Sequence, residues 1–134
     1  MKKSPKLNFI IPLVVYPFDV MISLGETNEE LEKSLRRKGI KKDEDDLWKM
    51  EGITWRGRTC RFQTGATLIR TRNFPDSSMD YGCLQHEIFH AVTYIMDSIG
   101  QPLSVGVSDE AYAYLIGHVT EQTMRKIGDT LRKK

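Results

Sequence analysis

Two of the chain's three histidines, His86 and His90, stand four residues apart in the stretch CLQHEIFHAV (83–92), and Glu87 directly follows the first. On a helix, residues i and i+4 are neighbours one turn apart, so both imidazoles reach a single ion at ~2.0–2.1 Å. Glu87 points about 100° away from His86 around such a helix, so it leans over the ion rather than binding it. A carboxylate in that position takes a proton from water that zinc has acidified to a pKa of about 7. The spacing therefore points to Zn2+ and to hydrolysis.

A catalytic zinc takes three protein ligands and keeps one position open, so a third donor is expected downstream. His118, Asp109 and Glu110 are the candidates. The segment SDEAYAYLIGH (108–118) opens a helix with Ser108 as a natural N-cap. The loop DSIGQPLSVGVS (97–108) turns that helix back antiparallel to the first, which brings Glu110 toward the imidazoles. Glu110, Tyr114, Gly117 and Glu121 fall on one helical face. A glycine in mid-helix costs about 1 kcal/mol relative to alanine, a cost that close approach of another backbone at Gly117 would explain. Asp109 suits a first-turn capping charge or an acceptor for a zinc-bound histidine.

A rival arrangement uses Cys60 and Cys83 with His86 and His90 as a closed Cys2His2 structural site. Cys83 precedes His86 by three residues on nearly the same face, but Cys60 is isolated on a predicted strand. That arrangement leaves Glu87 and Glu110 without a role.

The elements that must hold these residues follow from periodicity. Residues 77–98 form the clearest helix, opened by Ser77 or Ser78 and closed by Gly100-Gln101-Pro102. Leu84, Ile88, Ala91, Ile95 and Ile99 make its aliphatic stripe, while His86, His90, Thr93 and Asp97 lie opposite. A polar face poor in lysine and glutamate is expected to be covered. The first 24 residues are rich in Ile, Val and Phe and broken by Pro12 and Pro17, which suggests two short strands. GETNEELEKSLRRKG reads as a helix capped by Thr27 or Asn28 and ended by Gly39. DEDDLWKMEG (43–52) adds a short helix with Trp48 and Met50 inward. RTCRFQTG and ATLIRTRN read as a hairpin turning at Gly65. The expected class is α+β: a small mixed sheet packed against the histidine helix and an antiparallel C-terminal helix.

The 134 residues suit one domain, and a net charge of +2 gives no case for nucleic acid as an obligate partner. The basic clusters Arg36–Lys42 and Arg56–Arg61 read as solvated surface balanced by Asp43–Asp46. Lys2, Lys3 and Lys6 before LNFIIPLVVYPF resemble the start of a secretory signal, but Asn8 and the prolines interrupt the run. The run is also far short of the ~20 residues that span a bilayer. It reads as buried strand, no membrane is expected, and free thiols in a cytoplasmic protein are the default for the two cysteines.

HEIFH (86–90) and EAYAY (110–114) together resemble the zincin metallopeptidases, specifically the glutamate-zincin or thermolysin-like type. Glu110 falls twenty positions after His90, a separation that family also uses. The tail also resembles small HExxH proteins of phage and prophage genomes and the ImmA/IrrE-type peptidases. The likeness covers about residues 66 to 120. It implies a minimal zincin-like fold in which His86, His90 and Glu110 hold zinc and Glu87 is the general base for cleaving a peptide or protein substrate. The chain departs from the pattern at Tyr114, where thermolysin-like enzymes carry an aspartate. The partner of the first histidine must then come from elsewhere, with Asp97 and Asp109 as candidates, and Tyr112, Tyr114 or His118 could supply the oxyanion donor, with Tyr114 preferred. In zincins the strand before the active-site helix pairs with substrate, a place occupied here by ATLIRTRN. The small size and the lack of a second lobe leave room for a protein partner, or for a non-catalytic binding or regulatory module.

Overall fold

The computed structural model describes residues 4–51 and 56–133. Lys2, Lys3 and the end of the 43–52 segment at Gly52 lie outside the described residues. The elements run β1 (Leu7–Ile11), β2 (Val20–Leu24), α1 (Asn28–Arg37), a 3-10 turn (Lys42–Glu44), α2 (Asp45–Trp48), β3 (Gly57–Arg61), β4 (Thr67–Thr71), α3 (Ser78–Ser98) and α4 (Asp109–Arg132). This is a mixed α+β fold, with the element order that the periodicity predicts.

The strands form one sheet in the order β1-β2-β4-β3. The outer pairs, β1–β2 and β3–β4, are antiparallel, and β2–β4 is parallel, with Ile22 opposite Ile69. This corrects one expectation. β4, the strand of ATLIRTRN, has a neighbour on both sides, and the edge beside α3 is β3. Every residue of TLIRT is buried, as suits an inner strand, whereas GRTCR is half-buried and carries arginines, as suits an edge.

Both faces of the sheet are covered. On one, Val20, Ile22, Leu24 and Ile69 meet Leu84, Ile88, Ala91 and Ile95 of α3 and Leu115 and Val119 of α4. On the other, Met21, Leu68 and Cys60 meet Leu31 and Leu35 of α1 and Trp48 of α2. The two long helices therefore occupy one side, as expected, and α1 with α2 adds a third layer. Thr27 and Glu30 close α1 with a reciprocal capping box. Arg70 is 2% exposed and reaches through this second layer. It donates to Asn28 Oδ1 at 2.5 Å, Trp48 O at 2.9 Å and Glu26 O at 3.0 Å, which ties both ends of the α1–α2 layer to β4.

The N-terminal apolar run differs from the buried strand expected of it. Only residues 7–11 are strand, and beyond Pro12 the chain exposes Val14 (96%) and Val15 (87%). Proline has no N–H to give the ladder, so pairing ends where Pro12 begins. No helix among the described residues is long and apolar enough to cross a membrane.

Candidate metal centre

α3 begins where Ser77 Oγ accepts the Asp80 N–H, and its core stripe is the one the sequence predicts, except at Ile99. Ile99 is the C-cap and is exposed, because the helix ends before it can turn inward. Opposite the stripe, His86 is exposed and His90 half-buried. Their Nε2 atoms lie 3.0 Å apart, with the rings edge to face at 76°. Two imidazole lone pairs at that distance repel unless a proton or a cation stands between them. With a proton the pair is an N–H···N hydrogen bond. Two nitrogens each ~2.0–2.1 Å from one zinc at a near-tetrahedral angle stand roughly 3.3 Å apart, so the pair as folded fits a chelate with a small adjustment.

Glu87 turns toward the sheet rather than toward solvent and is 9% exposed. Thr59 of β3 donates its hydroxyl to Glu87 Oε1 at 2.8 Å and lies 3.0 Å from Glu87 O. Gly57, two residues earlier on the same face of β3, leaves little room for a side chain: a Cβ there would stand 3.0 Å from Glu87 Cγ. His86 and Glu87 line an open groove of about 580 Å³ with Arg56, Gly57, Gly82 and Cys83. The groove runs between the edge strand and the start of α3.

The third donor is not brought to the pair. Among the described residues no cluster of three His, Cys, Asp or Glu side chains is placed to hold a metal ion. Gln85 Nε2 donates to Thr120 Oγ1 at 3.0 Å, which marks the antiparallel register of α3 and α4. In that register residue 115 stands level with His90, and Glu110 lies about five residues further along, ~7–8 Å at ~1.5 Å per residue. Glu110 is exposed. The physical reason is the core of α4: Tyr112, Leu115, Val119 and Ile127 must bury together with the stripe of α3. That docks α4 beside α3 rather than across its histidine face. Among the described residues α4 therefore does not provide the expected cover over the polar face, and Gly117 has open space around it rather than an approaching backbone.

The other assigned residues also fall elsewhere. Tyr114 is 74% exposed and, with His118, lines an apolar hollow against Pro12–Tyr16 on the far flank of α4. Tyr112 is buried and donates its hydroxyl to Gln101 O at 2.6 Å. None of the three is beside the imidazoles in this packing. Asp97 pairs with Arg61 at 3.0 Å, and Asp109 accepts the Gly106 N–H at 2.8 Å, so neither bonds a histidine ring. Ser108 occupies the N-cap position of α4 without a side-chain cap bond. Instead its hydroxyl donates to Pro102 O and accepts from Ser104 N, which folds the preceding loop.

The Cys2His2 arrangement is excluded by the sheet itself. Cys60 points into the α1–Trp48 layer, on the face opposite α3, and both cysteines are free thiols. Burial pushes the Cys60 thiol up to about 12, the behaviour of an inert core residue.

Sequence reasoning missed Thr59 and Gly57. The signal was the period-2 alternation of β3, which puts Gly57, Thr59 and Arg61 on the face toward α3; it was hidden by assigning the edge to β4. No family model matches the chain, and neither a curated protein nor a solved structure matches it.

Proposed function

We propose that the protein is a zinc-dependent peptidase in which His86 and His90 hold the metal and Glu87 is the general base. The observation that carries this reading is the convergence of the two Nε2 atoms at 3.0 Å beside a carboxylate anchored at the mouth of an open groove. When bound, zinc supplies Lewis acidity that polarises a carbonyl and acidifies water. Glu87 accepts a proton from the attacking water through its unbonded carboxylate oxygen and passes it to the departing amine. Glu110 is the third ligand in this reading, which requires the first turn of α4 and the loop before it to move toward the imidazoles. That loop exposes Leu103, Val105 and Val107, and such a movement would break the bonds that Ser108 makes to Pro102 O and Ser104 N.

A second reading, a non-catalytic zinc-binding or regulatory module, is favoured by the solvent-exposed setting of His86 and the distance of Glu110. Glu87→Gln separates the two. On the peptidase reading the variant retains the wild-type zinc content, measured by elemental analysis, and loses hydrolysis of a quenched fluorogenic peptide library. Wild type and Glu87→Gln giving identical cleavage of that library would leave only the second reading.

A further inference from the structure

We propose that Thr59 is the positioning residue for Glu87, working with the side-chain gap at Gly57, so that the edge strand β3 aims the base. This rests on the peptidase reading. A glutamate on an open helix face samples several rotamers and loses side-chain freedom when it is fixed. Here it is already fixed. Thr59 Oγ1 lies 2.8 Å from Oε1, and a hydroxyl donating to a carboxylate makes a stronger bond than one donating to a neutral carbonyl. The other oxygen, Oε2, has no hydrogen-bond partner among the described residues, and Glu87 lines the same groove as His86.

Gly57 supports the same arrangement independently. A Cβ there would lie 3.0 Å from Glu87 Cγ and 3.4 Å from Cδ, with Arg70 O at 3.4 Å behind it. A side chain at position 57 would crowd Glu87 and push its carboxylate away from Thr59. Two residues of one strand, two apart and therefore on one face, act on one side chain of the neighbouring helix. Neither touches a histidine in the described contacts, so their effect is on the aim of the base rather than on metal retention.

Thr59→Val keeps the shape and removes the donor, whereas Thr59→Ser keeps the donor. On the best-cleaved member of a quenched fluorogenic peptide library, kcat of Thr59→Val is expected to fall about tenfold to a hundredfold, the range for loss of a hydrogen bond to a charged group. KM and zinc content stay within about twofold, since binding and metal retention are untouched. Thr59→Ser recovers kcat to within about threefold, and Gly57→Ala lowers kcat although the Thr59 hydroxyl is intact. A crystal structure of metal-free Thr59→Val is expected to show the Glu87 carboxylate displaced and the His86 and His90 rings unmoved. An unchanged kcat in Thr59→Val, a change in KM alone, or a Glu87 carboxylate unmoved in that crystal would overturn the assignment. If wild type cleaves no peptide that Glu87→Gln spares, the peptidase reading fails, and the crystal comparison still decides whether Thr59 aims Glu87.

Discussion

Zinc should stabilise this fold through two side chains on the polar face of α3 that contribute almost nothing to it otherwise. His86 is exposed and His90 half-buried, opposite the core stripe of α3, and among the described residues their rings bond each other alone. Replacing either with alanine in metal-free protein should therefore shift stability by less than about 0.5 kcal/mol, the ordinary range for surface positions. With zinc the balance changes. The two nitrogens already stand 3.0 Å apart, so little rotamer freedom remains to be lost on chelation. At a hundredfold excess over the dissociation constant, binding to the folded state alone adds about 2.7 kcal/mol. For a domain of 134 residues that corresponds to roughly 8–14 °C in Tm. The assay is thermal unfolding by circular dichroism across a zinc titration, for wild type, His86→Ala, His90→Ala, His118→Ala and Glu110→Ala. Wild type and His118→Ala should rise with zinc, and the first two variants should not. Glu110→Ala reads the third ligand directly: a smaller rise means that α4 moves to the metal, and an unchanged rise means that the pair binds alone. A wild-type Tm indifferent to zinc, or an increase that survives His86→Ala, would refute the reasoning.

Other outcomes follow from the same structure. Gly65→Ala should lose about 1–3 kcal/mol in urea unfolding: Gly65 has φ +92°, which disfavours any side chain, and a Cβ would overlap the Phe18 ring. Cys83 should react with iodoacetamide in the native protein, while Cys60, buried and with its thiol pushed up to about 12, should react only after unfolding, as mass spectrometry will read. Glu30 is held down to about 2, first by the hydrogen bond from Lys6 and then by the Thr27 N–H. Its folded value lies below the unfolded one, so its contribution is present above about 4.5 and is lost as pH falls toward about 2. An NMR titration of the Glu30 carboxyl should show this, and Lys6→Ala should move the midpoint upward.

Much of the architecture was legible because it depends on neighbours in sequence. Capping by Thr27 and Ser77, the stop at Gly39, the Gly65 turn and the aliphatic stripe of α3 are local matters of backbone conformation and period. The convergence of His86 and His90 belongs to the same class, since one helical turn places them together whatever the rest of the chain does. What packs beside them was not local. The parallel pairing of β2 with β4 made β3 the edge, which put Thr59 and Gly57 against Glu87 and sent Cys60 to the opposite layer. The docking of α4 was decided by where Leu115, Val119 and Ile127 could join the core, and that left Glu110 and Tyr114 away from the imidazoles. Twenty residues of spacing measures chain length and not distance in space. The sequence by itself determined the His86–His90 pair, the carboxylate beside it and the elements that carry them. Only the tertiary structure decided which strand bonds that carboxylate and where Glu110 stands, because both are settled by burial of apolar faces in a common core.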